Sequence, residues 1–154
     1  MTPVNHQGRT FGLGPLAFVV GALLIAALPA SAALVEVAVT GVHDARGHIR
    51  VDLCTRDTFL KDSCPYSGAA VATPGSTVVA ITGVPPGQYA AQVFHDETDQ
   101  GVVHQNLLGI PKEAIGFSND APLHVRGPSF KDAAFSVGSG VDHITLKLRH
   151  LFGR

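Results

Sequence analysis

The feature that most constrains this chain is a series of short runs alternating between apolar and other residues, each closed by glycine, proline or aspartate. Val35, Val37 and Val39 alternate with Glu36, Ala38 and Thr40, and Ile49, Val51 and Leu53 with His48, Arg50 and Asp52. Further runs fall at residues 77–84 and 88–96, the latter with Tyr89, Ala91 and Val93 on one face and Ala90, Gln92 and Phe94 on the other. Period two puts alternate side chains on opposite faces of a strand. Residues 133–137 and 143–150 read as a closing hairpin, with Ile144, Leu146 and Leu148 on the buried face. Helical periodicity is absent from every stretch of ten residues or more, leaving single turns at 57–61 or 111–117. Many short alternating strands with turn residues between them specify an all-β fold, an antiparallel β-sandwich, with a small closed barrel as second choice.

The first 32 residues stand apart. Arg9 precedes an apolar stretch at 11–28, and Ala30-Ser31-Ala32 supplies a small-residue cleavage site, so 1–32 reads as a signal peptide cut before Ala33. An uncleaved anchor is the competing reading, disfavoured by Pro29 and the polar strand from Glu36. Removing 32 of 154 residues leaves 122, one domain at 33–154. It takes away one base and no acid, leaving ten basic against twelve acidic residues, net −2. No basic stripe exists for nucleic acid and no basic amphipathic stretch for a membrane surface. The expected address is periplasmic or extracellular, with an unknown envelope ligand or protein as partner.

Cys54 and Cys64 enclose nine residues. That spacing is not a C-x-x-C redox motif, and no second pair is present for a structural zinc site. In an oxidising compartment two cysteines are expected to form a disulfide.

Residues 83–120 carry the densest polar chemistry. Val84-Pro85-Pro86-Gly87 is a rigid turn feeding the 88–96 strand, which delivers His95, Asp96 and Glu97 to the start of a long ordered loop. Asp96 and Gly101 match positions 1 and 6 of a calcium loop, but Thr98, Gln100 and Leu107 stand where stronger ligands belong. The leading reading is a loop braced by Asp and Asn side chains on backbone amides. The alternative is a calcium or transition-metal site using Asp96, Asp99 and His104. His95, Glu97, Asn106, Asn119 and Asp120 complete the candidate loop site, and His124 lies beside it. No cofactor is required by the leading reading. Catalysis finds little support, because Ser118 in Gly116-Phe117-Ser118-Asn119 lacks the second glycine of a nucleophile elbow. Leu107, Leu108, Ile110, Ile115, Phe117 and Phe130 are expected to anchor the loop by burial.

Pro85-Pro86-Gly87-Gln88-Tyr89, His95-Asp96-Glu97, Asn106-Leu107-Leu108-Gly109-Ile110-Pro111, Gly116-Phe117-Ser118-Asn119 and Gly127-Pro128-Ser129-Phe130 occur in that order. The series resembles domain-of-unknown-function family 2141, small exported bacterial proteins. The Pro-Pro-Gly-x-Tyr turn is also similar to that of transthyretin-like and collagen-adhesin B-type modules. These resemblances imply an immunoglobulin/transthyretin-like sandwich and export, and carry over no catalytic residue. The expected function is a non-catalytic binding or structural module of the cell envelope.

Overall fold

The valines at 35, 37 and 39 give β1 (Ala33–Val42) one wholly buried face, and β1 is the centre of a three-stranded sheet. It pairs antiparallel with β4 (Gly75–Val84) and parallel with β8 (Val141–Lys147). The structure, a computed structural model, describes residues 31–122 and 126–151; the expected signal peptide, apart from its last two residues, and His124 lie outside them. A second sheet of five strands packs on the first. Its order is β3 (Tyr66–Val71), β2 (His48–Cys54), β5 (Gly87–Asp96) and β6 (Ile115–Phe117). A further strand, β7 (Ala134–Val137), shares the outer edge of β5, pairing with Gly87–Ala90 while β6 pairs with Gln92–Phe94. The expected sandwich is therefore present, with β1–β8 as its one parallel pairing among the described strands.

Between the sheets lie Val35, Val37, Val39, Ile49, Val51, Leu53, Val79 and Leu146, each almost completely buried. Burying a side chain of this size contributes about 1.5–3 kcal/mol. One side of the sandwich is laced shut. Ile115 and Arg149 exchange backbone hydrogen bonds of 2.9 and 2.8 Å, and the Asp120 carboxylate accepts from the Lys147 amide at 3.0 Å. Gly116 makes this approach possible, because a Cβ there would sit 2.5 Å from the Lys147 carbonyl oxygen. At the corner after β1, Gly47 has φ +63°, and a Cβ would fall 1.9 Å from the Asp96 carbonyl oxygen. The Tyr89 hydroxyl donates to the Pro85 carbonyl at 3.1 Å, fastening the Pro-Pro-Gly turn to its strand.

Two expectations need correction, and one strand adds to them. β7 and β8 form no hairpin: they belong to different sheets, and the intervening residues 138–140 carry the chain across the sandwich. The 111–117 segment makes no helical turn, because 115–117 finds a partner on β5. β3 was not anticipated, since Tyr66-Ser67-Gly68-Ala69-Ala70-Val71 has weak β-propensity. Its small residues suit close packing: a Cβ on Gly68 would lie 2.9 Å from Ile81 Cγ1.

Candidate functional site

β5 ends in the core and begins the loop. His95 points inward, where its Nε2 donates to the Arg46 carbonyl at 2.8 Å. Its neighbour Asp96 is buried on the opposite face. Asp96 accepts from Arg50 Nε at 2.6 Å, the Gln100 amide at 3.0 Å and the Gly101 amide at 2.7 Å. Burial pushes the carboxyl toward protonation, but these three donors outweigh it and hold Asp96 below the usual carboxylate range. The calcium-like spacing of Asp96 and Gly101 thus produces a turn in which Asp96 itself gathers the amides.

The other polar residues are similarly engaged. Arg46 bridges Glu97 and Asp44, and its guanidinium holds Asp44 far below its ordinary value. Asp99, at φ 55°, meets His48 Nδ1. His104 faces Glu113 through Nδ1 at 2.7 Å and Gln100 Oε1 through Nε2 at 2.8 Å. The Asn106 side-chain oxygen Oδ1 accepts from the Leu108 and Ile110 amides at 2.9 and 3.1 Å, closing a tight hairpin tip. Asn119 donates to the Asp132 and Ala134 carbonyls, and the buried Ser118 hydroxyl accepts from the Ala91 amide and donates to the Ala133 carbonyl. Asp96, Asp99 and His104 turn to separate partners. Among the described residues no group of three or more His, Cys, Asp or Glu side chains is placed to hold a metal ion.

The apolar anchor is real but differently composed. Phe117 packs edge-to-face on Phe59 at 5.7 Å, and Phe130 on Phe59 at 5.9 Å, over Cys54, Ala90, Ala121 and Ala133. Phe59 belongs to the loop closed by Cys54 and Cys64, which form the expected disulfide with Cα atoms 4.6 Å apart. Leu107 and Leu108, expected to be buried, are 106% and 79% exposed at the hairpin tip. The Asn106 turn leaves them no surface to pack against.

These pieces build a trough across the outer face of the five-stranded sheet. Register places Ala69, Arg50, Phe94 and Ile115 in one row across the strands, and Ser67, Asp52, Gln92 and Phe117 in the next. Leu60–Asp62 from the disulfide loop line one wall, and Gly101–Val103 with Gln105 line the other. The space consists of two adjoining hollows of about 270 and 620 Å³ that share Asp62, Gln92, Phe94, Val103 and Gln105. Both walls are tied to the floor by β5. Gln92 accepts from the Leu60 amide at 3.2 Å and donates to the Lys61 carbonyl at 3.3 Å, and Asp96 holds the opposite turn. Asp52 is half-buried in the floor, and burial raises its carboxyl above the usual value, aided by the nearby charge of Asp62. Arg50, Asp52, Gln92, Phe94 and Gln105 were absent from the sequence-based candidates. For the first four the signal was the outward face of two strands, and it needed the β2–β5 pairing to become one surface; Gln105, in the loop, carried none.

No curated protein and no solved structure matches the chain. One family profile does, over residues 37–145, from within β1 into β8, and it is described as an uncharacterized protein conserved in bacteria. The matched span covers most of the sandwich and all of the loop that builds the trough, so the chain belongs to the DUF2141 family of bacterial proteins.

Proposed function

We propose that this is an exported, non-catalytic binding module whose ligand lies in the trough on the outer face of the five-stranded sheet. The observation that carries this reading is the fastening of both walls to the floor through Gln92 and Asp96. A site assembled before its ligand arrives avoids the ordering cost of binding. A concave surface that mixes an aromatic with a few convergent polar groups is also the usual form of a ligand site. The polar residues around Ser118 serve backbone pairing, which favours binding over nucleophilic chemistry.

The test is an amide-shift map of the purified protein against a panel of short saccharides, short peptides and aliphatic acids. Shifts gathered at Asp52, Gln92, Phe94 and Gln105 with any panel member are expected. Shifts gathered elsewhere, or none with any probe, overturn the proposal. Export is checked separately by mass spectrometry of envelope-fraction protein, with an N-terminus at Ala33 expected and an intact Met1 overturning it.

A further inference from the structure

The trough's floor has a particular hydrogen-bonding character. Arg50 and Asp52 sit two residues apart on the same face of β2, about 6.6 Å along the strand. Arg50 spends its Nε on Asp96, and its two terminal nitrogens make no further hydrogen bond among the described residues. Asp52 receives one long contact, from Gln92 Nε2 at 3.4 Å. The half-exposed ring of Phe94 stands opposite Arg50 on β5, and Gln105 overlooks it from the wall. A ligand here meets donors and an acceptor side by side, next to an apolar ring.

Backbone recognition is closed off. β2 is paired on both edges by β3 and β5, and β5 by β2 and by β6 with β7, so the central floor offers side chains only, and the one edge left unpaired on that side is the outer edge of β3, at the rim. A peptide strand finds no edge to extend over β2 and β5, where Arg50, Asp52, Gln92 and Phe94 converge. Charge also fails to single out an ionic ligand: Asp96 pairs with Arg50, and the hollows carry the acids Asp52 and Asp62 as well as the bases Lys61 and Arg126. Hydroxyl groups both donate and accept, so adjacent hydroxyls on a ring satisfy Arg50 and Asp52 together without bringing a charge. The apolar face of such a ring covers Phe94. From β3 to β6 the trough spans three strand spacings, about 14 Å, longer than one ring requires.

We infer that the occupant is a short neutral linear saccharide, lying across β3, β2, β5 and β6 with Arg50, Asp52 and Gln92 on its hydroxyls and Phe94 against a ring face. This inference rests on the proposed trough and adds its ligand class.

The experiment titrates the purified protein with cellotetraose, maltotetraose and chitotetraose, and in parallel with tetra-alanine and hexanoate, following amide shifts. Saturable shifts at Gln92, Phe94 and Gln105 with at least one tetrasaccharide, and weaker shifts with its monosaccharide, are expected. Asp52→Asn and Phe94→Ala should each weaken that binding about tenfold or more. Asp52→Asn removes a carboxyl that burial disfavours, so its fold is expected to be retained, and Gln105→Ala on the exposed wall is a second variant that leaves the core untouched. Trough shifts with tetra-alanine or hexanoate but with none of the tetrasaccharides overturn the saccharide inference and leave the binding reading standing. No trough shifts with any probe overturn both.

Discussion

The two walls of the trough flank the same sheet face and are held there by opposite physics. The wall at 60–62 rests on the Phe59, Phe117 and Phe130 rings and is closed by the Cys54–Cys64 disulfide. The wall at 101–105 has no such cluster. Val102, Val103, Leu107 and Leu108 all face solvent, and the segment is held by Asp96, by the His104–Glu113 contact and by the Asn106 turn. Burial of apolar surface is non-directional and insensitive to protonation. A buried carboxylate gathering three donors fixes a turn in one geometry, but only while it is ionised. One wall should therefore respond to cavity formation and reduction, the other to acid.

The largest effect is expected on the aromatic side. Phe117→Ala removes the ring between the sheet face and Phe59 and should cost about 3–5 kcal/mol in denaturant unfolding. A loss below 1 kcal/mol, on the same scale of buried-aromatic deletions, would erase the contrast between the walls. Reducing the Cys54–Cys64 bond, or replacing both cysteines by serine, releases a short loop and should cost roughly 3 kcal/mol. Neither loss should change much between neutral and mildly acidic pH, because the groups that pack the cluster, the rings of Phe59, Phe117 and Phe130 with Ala90, Ala121 and Ala133, carry no ionisable group.

On the polar side, Asp96→Asn leaves Arg50 without its anion and should cost about 1.5–3 kcal/mol at neutral pH. The sign of the pH dependence follows from a folded-state value below the unfolded one, near 3.9. The stability Asp96 contributes is fully present above that unfolded value and is lost as pH falls through the folded one. The gap between wild type and Asp96→Asn should thus close below about pH 4. Asp52 has the opposite sign. Its raised value means a contribution present below the unfolded value and lost as pH rises through the folded one, so Asp52→Asn should be neutral or stabilising at pH 7. An Asp96→Asn gap that persists unchanged into acid would show that geometry, not charge, holds the turn.

The sandwich was legible because it is written in period two: Val35–Val37–Val39, Ile49–Val51–Leu53 and Tyr89–Ala91–Val93 all bury the face that alternation selects. The disulfide and the bracing of the loop by Asp96 and Asn106 followed from local chemistry and were likewise readable. What failed was long-range. Pairing partners decide that β7 and β8 part company, and that a run as plain as 66–71 becomes a strand. The trough was hidden for the same reason. Arg50 and Phe94 are unremarkable outward residues until strand register sets them side by side. The leucines at 107 and 108 misled because a large apolar side chain was equated with burial, whereas the reverse inference, from exposure to function, is the safer one.

The smallest expected effect is the most direct test of how the polar wall is held. If apolar anchors ordered this segment, Leu107→Ser would remove buried surface and cost about 1.5–3 kcal/mol. The side chain is instead fully exposed, so the substitution should fall within about 0.5 kcal/mol of wild type. Asn106→Ala is the matched comparison one position earlier. It deletes the acceptor of two amides at the tip and should cost about 0.5–1.5 kcal/mol, despite removing a smaller and more polar group. The expected order, Asn106→Ala above Leu107→Ser, inverts the ranking that hydrophobicity alone would assign. Denaturant unfolding of both variants measures it. The opposite order would mean that the leucine tip is covered in solution, and that the two walls share one mode of support after all.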